Sequence, residues 1–114
     1  MDPCLFCRIV TGELPATRVH EDAQSLAFED IRPQAPTHLV IVPKSHIARV
    51  LDVTAAQTPL LGHLVQVANA LARARGIADD GFRLVVNSGP AGGQTVHHLH
   101  LHLLGGRAMQ WPPG

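Results

Sequence analysis

Apolar and polar residues follow two different periods along the chain, and each period predicts its own kind of element. Over 54–75 the apolar residues recur at the spacing of one helical face, and Gly76 then offers a left-handed stop. A second, short helix is predicted over 4–11, with Asp2 and Pro3 supplying its start. Short apolar runs bounded by turn residues predict strands at 17–21, 25–29, 38–42, 82–87 and 96–104.

These elements predict an α+β fold, in which about five antiparallel strands pack on one long helix with the short helix beside them. The first two strands are joined by a short polar turn, and a loop containing Pro33 and Pro36 precedes the third, which favours a meander. The chain has 114 residues and is predicted to be a single domain over 1–114 that buries one core.

The run His98, Leu99, His100, Leu101, His102 is the most informative segment of the chain. On a strand this alternation places three imidazoles on one face, about 6.6 Å apart along one line, and the leucines on the other. Because every buried ring nitrogen needs a partner, such a row is costly as mere structure. A solvated sheet face and a His-x-His metal site both remain open as explanations.

A glycine-rich loop over 89–95 leads directly into this histidine run. Its glycines allow backbone N–H groups to converge on an anion, and the side chains of Asn87 and Thr95 add polar donors. The lysine of a Walker A loop is missing, so a plain connection between strands is the alternative. The neighbouring histidines favour a phosphate site.

The charge balance argues against some partners, and the spacing of the two cysteines argues against a stabilising disulfide. Nine basic and nine acidic residues cancel, so we expect neither nucleic acid nor a membrane as a partner. The start of the chain lacks the pattern of a targeting signal, which predicts a cytoplasmic protein. Cys4 and Cys7 are too close in sequence for a stabilising disulfide, so reduced thiols or metal ligation are expected.

The segment His98 to Leu104 resembles the signature of the histidine triad (HIT) superfamily, in which histidines alternate with apolar residues and two apolar residues follow. The similarity extends to further segments along the whole chain, at 4–10, 28–31, 36–38, 43–46 and 92–96. The closing segments 105–107 and 111–114 resemble the HINT-like nucleoside phosphoramidase branch. The resemblance therefore implies a HIT-like fold.

The same resemblance implies an enzyme that binds purine nucleoside monophosphates and hydrolyses the P–N bond of AMP or GMP conjugates with amines. By this resemblance His100 is the nucleophile and forms a covalent nucleotidyl intermediate. A backbone carbonyl near His98 would orient His100, while His102 would contact the phosphate and His38 would support the triad. The family also implies a homodimer.

The resemblance further assigns residues to the nucleotide. Asp30 would accept hydrogen bonds from the ribose hydroxyls. Around the phosphate, the candidates are Asn87, Gly93, Thr95 and His102, and Trp111 would reach the leaving-group pocket of the partner subunit. Apolar walls for the base would come from Phe6, Ile9, Phe28, Ile31 and Val40.

Zinc is the one cofactor that the resemblance implies, and no organic cofactor is expected. Cys4 and Cys7, with His46 and His98, match the ligands of the zinc-bearing members of the superfamily. Two thiolates and two imidazoles close a tetrahedral site, so this zinc would be structural. The carboxyl tail resembles members that usually lack zinc, so half-buried cysteines without metal are the alternative.

Other functions also fit the histidine run. A dinucleoside polyphosphate hydrolase or a nucleotidyl transferase would use the same chemistry at His100. A nucleotide-binding or scaffold protein would keep the pocket without turnover. A hydrolase with a catalytic metal on His98, His100 and His102 is a further alternative, and it predicts inactivation by a chelator.

Overall fold

The computed structural model describes residues 4–114 and contains one sheet and two α-helices. All strand pairs are antiparallel, and the spatial order is β1-β2-β3-β5-β4. Short 3-10 turns at Val50–Asp52 and Ala55–Gln57 precede the long helix. The elements are α1 (Leu5–Val10), β1 (Arg18–Glu21), β2 (Ser25–Glu29), β3 (Thr37–Pro43), α2 (Thr58–Ala74), β4 (Phe82–Val85) and β5 (Leu101–Gly105).

The predicted α+β fold, with about five antiparallel strands, one long helix and one short helix, is confirmed. The sheet lies between the helices and is buried on both faces at its centre. On β3, Leu39 and Ile41 join the core beneath α2, whereas Val40 and Val42 join a second cluster with Phe6 of α1. Because side chains alternate along a strand, His38 lies on the α1 face of the sheet.

The same alternation holds along β5. Leu101 and Leu103 are buried in the core beneath α2. His102, between them, pairs with Val40 in the register of β3 and β5 and therefore lies on the α1 face. The sheet thus places His38 and His102 diagonally across one strand pair, on the side that carries α1.

Both predicted helices are shorter in the structure. Helix α1 begins at Leu5, and its N-cap is Cys4, whose Sγ accepts a hydrogen bond of 3.3 Å from the N–H of Cys7. Asp2 and Pro3, predicted as its start, lie outside the described residues. Helix α2 begins at Thr58 because the preceding residues form a 3-10 turn. No helix in the described part of the chain is long and apolar enough to cross a membrane.

The predicted strand 96–104 is wrong at its beginning, because pairing starts only at Leu101. Upstream of this residue the backbone bonds to the loop after β3: the N–H of Leu99 donates to the carbonyl of Ile47 at 2.6 Å. The carbonyl of Pro43 accepts from Nε2 of His98 at 2.8 Å instead of from a neighbouring strand. His98 and His100 therefore lie just before the strand, and only His102 lies on it.

Candidate functional site

The backbone of His98 orients the imidazole of His100. Nδ1 of His100 lies 2.7 Å from the carbonyl oxygen of His98, and a carbonyl only accepts, so Nδ1 carries the proton. In the neutral ring Nε2 then presents its lone pair. Burial lowers the pKa of His100, against the opposing effects of this hydrogen bond and the Asp30 carboxylate. The ring is therefore neutral near pH 7, with one defined nucleophilic nitrogen.

A chain of hydrogen bonds fixes the tautomers of the other two histidines. The backbone N–H of Gln34 donates to Nδ1 of His38 at 3.0 Å, so the proton of a neutral His38 is on Nε2. Nε2 of His38 lies 2.9 Å from Nδ1 of His102 and donates to it. The proton of a neutral His102 is therefore on Nε2, which makes that atom a donor.

Burial and like charge keep this pair neutral. Burial is the largest cause that lowers the pKa of His102 to about 4; positive charge on His100 and His38 contributes to the same shift, and the Asp30 carboxylate opposes it. Burial also lowers the pKa of His38, against the attraction of the same carboxylate, whose Oδ2 lies 3.4 Å from Nε2 of His38. The other oxygen of Asp30 accepts from the N–H of Arg32 at 2.8 Å.

An apolar cleft of about 200 Å³ lies beside the histidines, between α1 and the sheet. Phe6 connects the two, since its ring lines the cleft and packs edge-on against His100 with ring centroids 5.0 Å apart. Ile31 is 92% exposed, so it stands at the mouth of the cleft. All six residues predicted for the nucleoside line this cleft, namely Phe6, Ile9, Phe28, Asp30, Ile31 and Val40.

The glycine-rich loop is closed by its own hydrogen bonds. The N–H of Gly93 donates to the carbonyl of Pro90 at 3.0 Å, and that of Gln94 donates to the carbonyl of Gly89 at 3.1 Å. In this conformation those two N–H groups do not point at an anion, which corrects the expectation for Gly93. Asn87 holds the loop through a 2.7 Å bond from Nδ2 to the carbonyl of Gly92. Thr95 is exposed, and its hydroxyl remains a candidate donor.

Trp111 lies away from this cleft, on the carboxyl tail. Its side chain is 82% exposed, and it is not among the residues that line the cleft. The tail is fixed just before this residue by a 2.7 Å hydrogen bond from Arg83 to the carbonyl of Gln110. An apolar ring so exposed is consistent with a contact made outside this chain.

Cys4, Cys7, His46 and His98 form a thiol–imidazole cluster whose ligand atoms all lie within 4.8 Å of one another. Nδ1 of His98 lies 3.3 Å from Sγ of Cys4 and 3.4 Å from Sγ of Cys7. Nδ1 of His46 lies 3.2 Å from Nδ1 of His98. A tetrahedral zinc with ordinary bond lengths needs S···N edges of about 3.6 Å and an N···N edge of about 3.3 Å.

The tautomer of His98 also suits a metal at the thiol–imidazole cluster. Nε2 of His98 donates to the carbonyl of Pro43, so Nδ1 presents its lone pair to the two sulfurs. Both the edges and the donor set therefore suit zinc. A zinc bound there would have no position left for a reactive water, because the four protein ligands would complete its tetrahedron.

The possible ligand atoms of a second group also lie within 4.8 Å of one another, and this group consists of Asp30, His38 and His102. Its hydrogen bonds oppose metal binding, because Nδ1 of His38 accepts from a backbone N–H and Nε2 must then keep the proton that a metal would replace. His98 also does not share a metal with His100, since its Nδ1 faces the sulfurs of the thiol–imidazole cluster and its Nε2 donates to the carbonyl of Pro43. This geometry disfavours a catalytic metal held by the triad.

Several residues that organise the site carry no signal in the sequence. The N–H of Gln34 and the carbonyl of Pro43 act through backbone atoms, which every residue possesses. Gln94 is buried, and its Nε2 donates to the carbonyls of Ala48 and Val96 at 2.7 and 3.0 Å, which ties the histidine segment to the loop after β3. A glutamine in a glycine-rich loop does not reveal in the sequence that its side chain is buried.

Known proteins resemble this chain over almost its whole length. A family model described as HIT domain matches residues 11–109. An uncharacterized HIT-like protein of Synechococcus elongatus is 52% identical over 110 residues, which are 96% of each chain. A 14 kDa zinc-binding protein of Zea mays is 46% identical over 114 residues, with 98% of this chain and 88% of that protein covered.

Solved structures agree with these relatives. A HIT family hydrolase from Legionella pneumophila has a TM-score of 0.96 and 58% identity, and the match covers 97% of this chain and 99% of the other. A HIT family hydrolase from Clostridium thermocellum has a TM-score of 0.93 at 45% identity, with 96% of each chain covered.

Proposed function

The chain belongs to the HIT domain family, and from that premise we propose that it is a purine nucleoside phosphoramidase that acts through a covalent intermediate on His100. Its similarity to HIT family hydrolases supports hydrolysis as the type of reaction. The substrates proposed are conjugates of AMP or GMP with an amine. One observation carries the proposal: the carbonyl of His98 holds the proton of His100 on Nδ1 and leaves Nε2 for attack on phosphorus.

Binding precedes chemistry in the apolar cleft. The base packs against the apolar walls of the cleft, to which Phe6 and Phe28 contribute, and the carboxylate of Asp30 accepts hydrogen bonds from the ribose diol at the edge of the cleft. This arrangement places the α-phosphate beside His100 and His102. Apolar walls suit a flat base, and a carboxylate suits a diol, so each group of the substrate meets a matching surface.

The reaction proceeds in two displacements. Nε2 of His100 attacks the α-phosphorus, and the P–N bond to the amine breaks. The leaving nitrogen takes a proton from a donor beside the phosphate, for which Nε2–H of His102 and the hydroxyl of Thr95 are the candidates. Water then attacks phosphorus, breaks the bond to His100, and returns a proton to that donor.

His102 also stabilises charge in both displacements. Its Nε2–H faces the phosphoryl oxygens, on which negative charge increases during attack. His38 keeps this proton on Nε2 by donating to Nδ1, and Gln34 fixes His38 in turn. We infer that His38 acts through His102, as a positioning residue.

The thiol–imidazole cluster is proposed to hold a structural zinc. Zinc would be bound by Cys4, Cys7, His46 and His98. With four protein ligands it would hold α1 in place and fix the orientation of His98. The similarity to a zinc-binding protein of maize supports this assignment. No step of the proposed reaction uses the metal.

A homodimer is part of the proposal. Strand β4 is one of the two edges of the sheet, with Val86 just after it 39% exposed, and Trp111 is exposed on the tail. In the proposed dimer Trp111 contributes to the leaving-group pocket of the partner subunit. We therefore expect truncation of the tail to change the selectivity for the leaving group. Light scattering tests the dimer separately, by measuring the oligomeric state.

Release of AMP from an adenosine phosphoramidate tests the proposal. We expect release by zinc-replete and metal-stripped protein, and none from a folded His100→Ala variant. Release that requires zinc would contradict the metal-free chemistry. Turnover of a dinucleoside polyphosphate with no action on the phosphoramidate would indicate the alternative hydrolase or transferase, and nucleotide binding without turnover would indicate a binding protein.

A further inference from the structure

Helix α1 serves two sites at once. Its cap Cys4 and its own Cys7 belong to the thiol–imidazole cluster, whereas Phe6 and Ile9 are buried against the sheet and line the cleft. Six residues are too few for a stable isolated helix, so its position depends on what it contacts. A change at the cluster therefore moves the walls of the cleft.

Phe6 is the residue of α1 that reaches the nucleophile. It lies in sequence between the two cysteines, and its ring is perpendicular to that of His100, at 88° with centroids 5.0 Å apart. The same ring contacts Phe28 at 5.4 Å and His98 at 6.1 Å, both edge-on. Such aromatic contacts depend on geometry and weaken when one ring shifts.

His98 supplies a second path between the same two sites. Its Nδ1 faces the sulfurs of the cluster, and its backbone carbonyl accepts the Nδ1 proton of His100 at 2.7 Å. Two of the contacts of His100 therefore come from residues tied to the cluster: Phe6, which lies on α1 between the two cysteines, and His98, which belongs to the cluster. Metal bound at the cluster restrains both at once.

We propose that Phe6 is a positioning residue that couples the thiol–imidazole cluster to His100 and to the cleft, so that zinc and nucleotide each strengthen binding of the other. The part of this proposal that concerns nucleotide binding rests on the proposed function. When a metal already fixes α1, nucleotide binding has less conformational entropy to remove from the helix. Thermodynamic linkage requires that zinc changes the affinity for the nucleotide by the same factor as the nucleotide changes the affinity for zinc.

The first test measures AMP affinity by calorimetry for metal-free and zinc-loaded protein, and zinc affinity with and without AMP. For the wild-type chain we expect each ligand to tighten the other by about fivefold or more, with equal factors. In Phe6→Leu, which keeps an apolar side chain, we expect zinc to bind and the coupling factor to fall below the wild-type value, because only the path through His98 remains. Val10→Ala is the matched control on the same helix and should keep the wild-type factor, since Val10 packs against the same apolar cluster but does not line the cleft.

A merely structural role for Phe6 gives a different result. AMP would then bind more weakly to Phe6→Leu by the same ratio in both metal states, and the unchanged coupling factor would overturn the proposal. A wild-type factor of one would overturn it as well. If circular dichroism finds Phe6→Leu unfolded, Phe6→Met takes its place, because methionine adapts to an irregular apolar site.

A second readout does not need the nucleotide. The ring ¹³Cε1–¹Hε1 signal of His100 is recorded at one fixed pH before and after zinc addition. We expect zinc to shift this signal in wild-type protein and in Val10→Ala, with a smaller shift in Phe6→Leu, where only the path through His98 remains. If AMP binds in neither metal state, the proposed function fails, while this signal still decides the coupling: equal shifts in all three proteins contradict it.

Discussion

Acidification is the perturbation that tests the neutral state of the triad most sharply. His102 sits between two other imidazoles in a half-buried position, and burial together with their charges lowers its pKa to about 4. The hydrogen bond from His38 to its Nδ1 defines the tautomer that donates from Nε2. Activity that needs this neutral tautomer should therefore survive well below pH 6.

The magnitude follows from the two pKa values. At about pH 5.5 an ordinary histidine is about nine tenths protonated, whereas one with a pKa of about 4 is roughly three hundredths protonated. A ring with the ordinary value would thus lose most of its neutral form between pH 7.5 and 5.5, and His102 would lose almost none. We therefore expect protonation of His102 to contribute almost nothing to any fall in kcat/KM for the phosphoramidate over that interval.

Two measurements are needed. Initial rates of AMP release give the pH profile, after subtraction of the acid hydrolysis measured without protein. Ring signals in a ¹³C–¹H spectrum give the titration of His102 directly, assigned with a His102→Gln variant. A ring that titrates near pH 6.5, with kcat/KM falling alongside it, would refute the argument that burial and neighbouring imidazoles keep this side chain neutral.

The same shift has a consequence for stability. Because the folded chain holds the pKa of His102 below its unfolded value, the unfolded state binds more protons between about pH 6.5 and pH 4, and stability falls as pH decreases through that range. The ring stays partly exposed, so we expect a loss of about 1–2 kcal/mol, below the full value for the shift. Urea unfolding at a series of pH values measures it.

Three further changes test separate parts of the structure. Cys7→Ser should abolish tight zinc binding in a chelator competition while the fold persists; unaltered affinity would remove Cys7 from the ligand set. Asp22→Asn should lower the unfolding free energy by about 1–2 kcal/mol in urea, because its carboxylate accepts from two histidines, a serine and the turn backbone, with exposed Asp79→Asn as an unaffected control. Burial raises the pKa of Asp22, but the hydrogen bonds outweigh it and hold the pKa well below its usual range, so this contribution is present above about pH 4 and is lost as pH falls further. Truncation after Gln110 removes Trp111 and should change the ratio of kcat/KM between small and bulky amine leaving groups; an unchanged ratio in a folded dimer would exclude a role for the tail.

The apolar pattern predicted the fold well, because burial depends on the same alternation that the sequence displays. Leu101 and Leu103 lie beneath α2 as expected, and strand 25–29 has the predicted bounds. The predicted strand through His98 and His100 failed because the carbonyl of Pro43 bonds to the side chain of His98 and the N–H of Leu99 bonds to Ile47, beyond the end of β3. A period of two identifies the faces of a segment, but it does not reveal where pairing begins.

The candidate site was predictable in its side chains and less so in its tautomers. The six residues proposed for the nucleoside all line one cleft, and the four proposed metal ligands form one cluster. The family resemblance already implied a carbonyl near His98 as the partner of His100, whereas the proton position of His38 depends on the N–H of Gln34, which no residue pattern encodes. The expectation for Gly93 failed for the same reason, since the N–H of a glycine bonds wherever the loop directs it.

Covalent attachment of the nucleotide to His100 is the central claim, and trapping that intermediate tests it most directly. Protein and adenosine phosphoramidate are mixed, quenched within milliseconds and digested under conditions that preserve phosphorus–nitrogen bonds, and the peptide that spans 98–104 is examined by mass spectrometry. We predict the mass of one adenylyl group on His100, present in wild-type protein and absent from His100→Ala. Turnover without such an adduct at any quench time, or an adduct on another residue that persists in His100→Ala, would contradict the account.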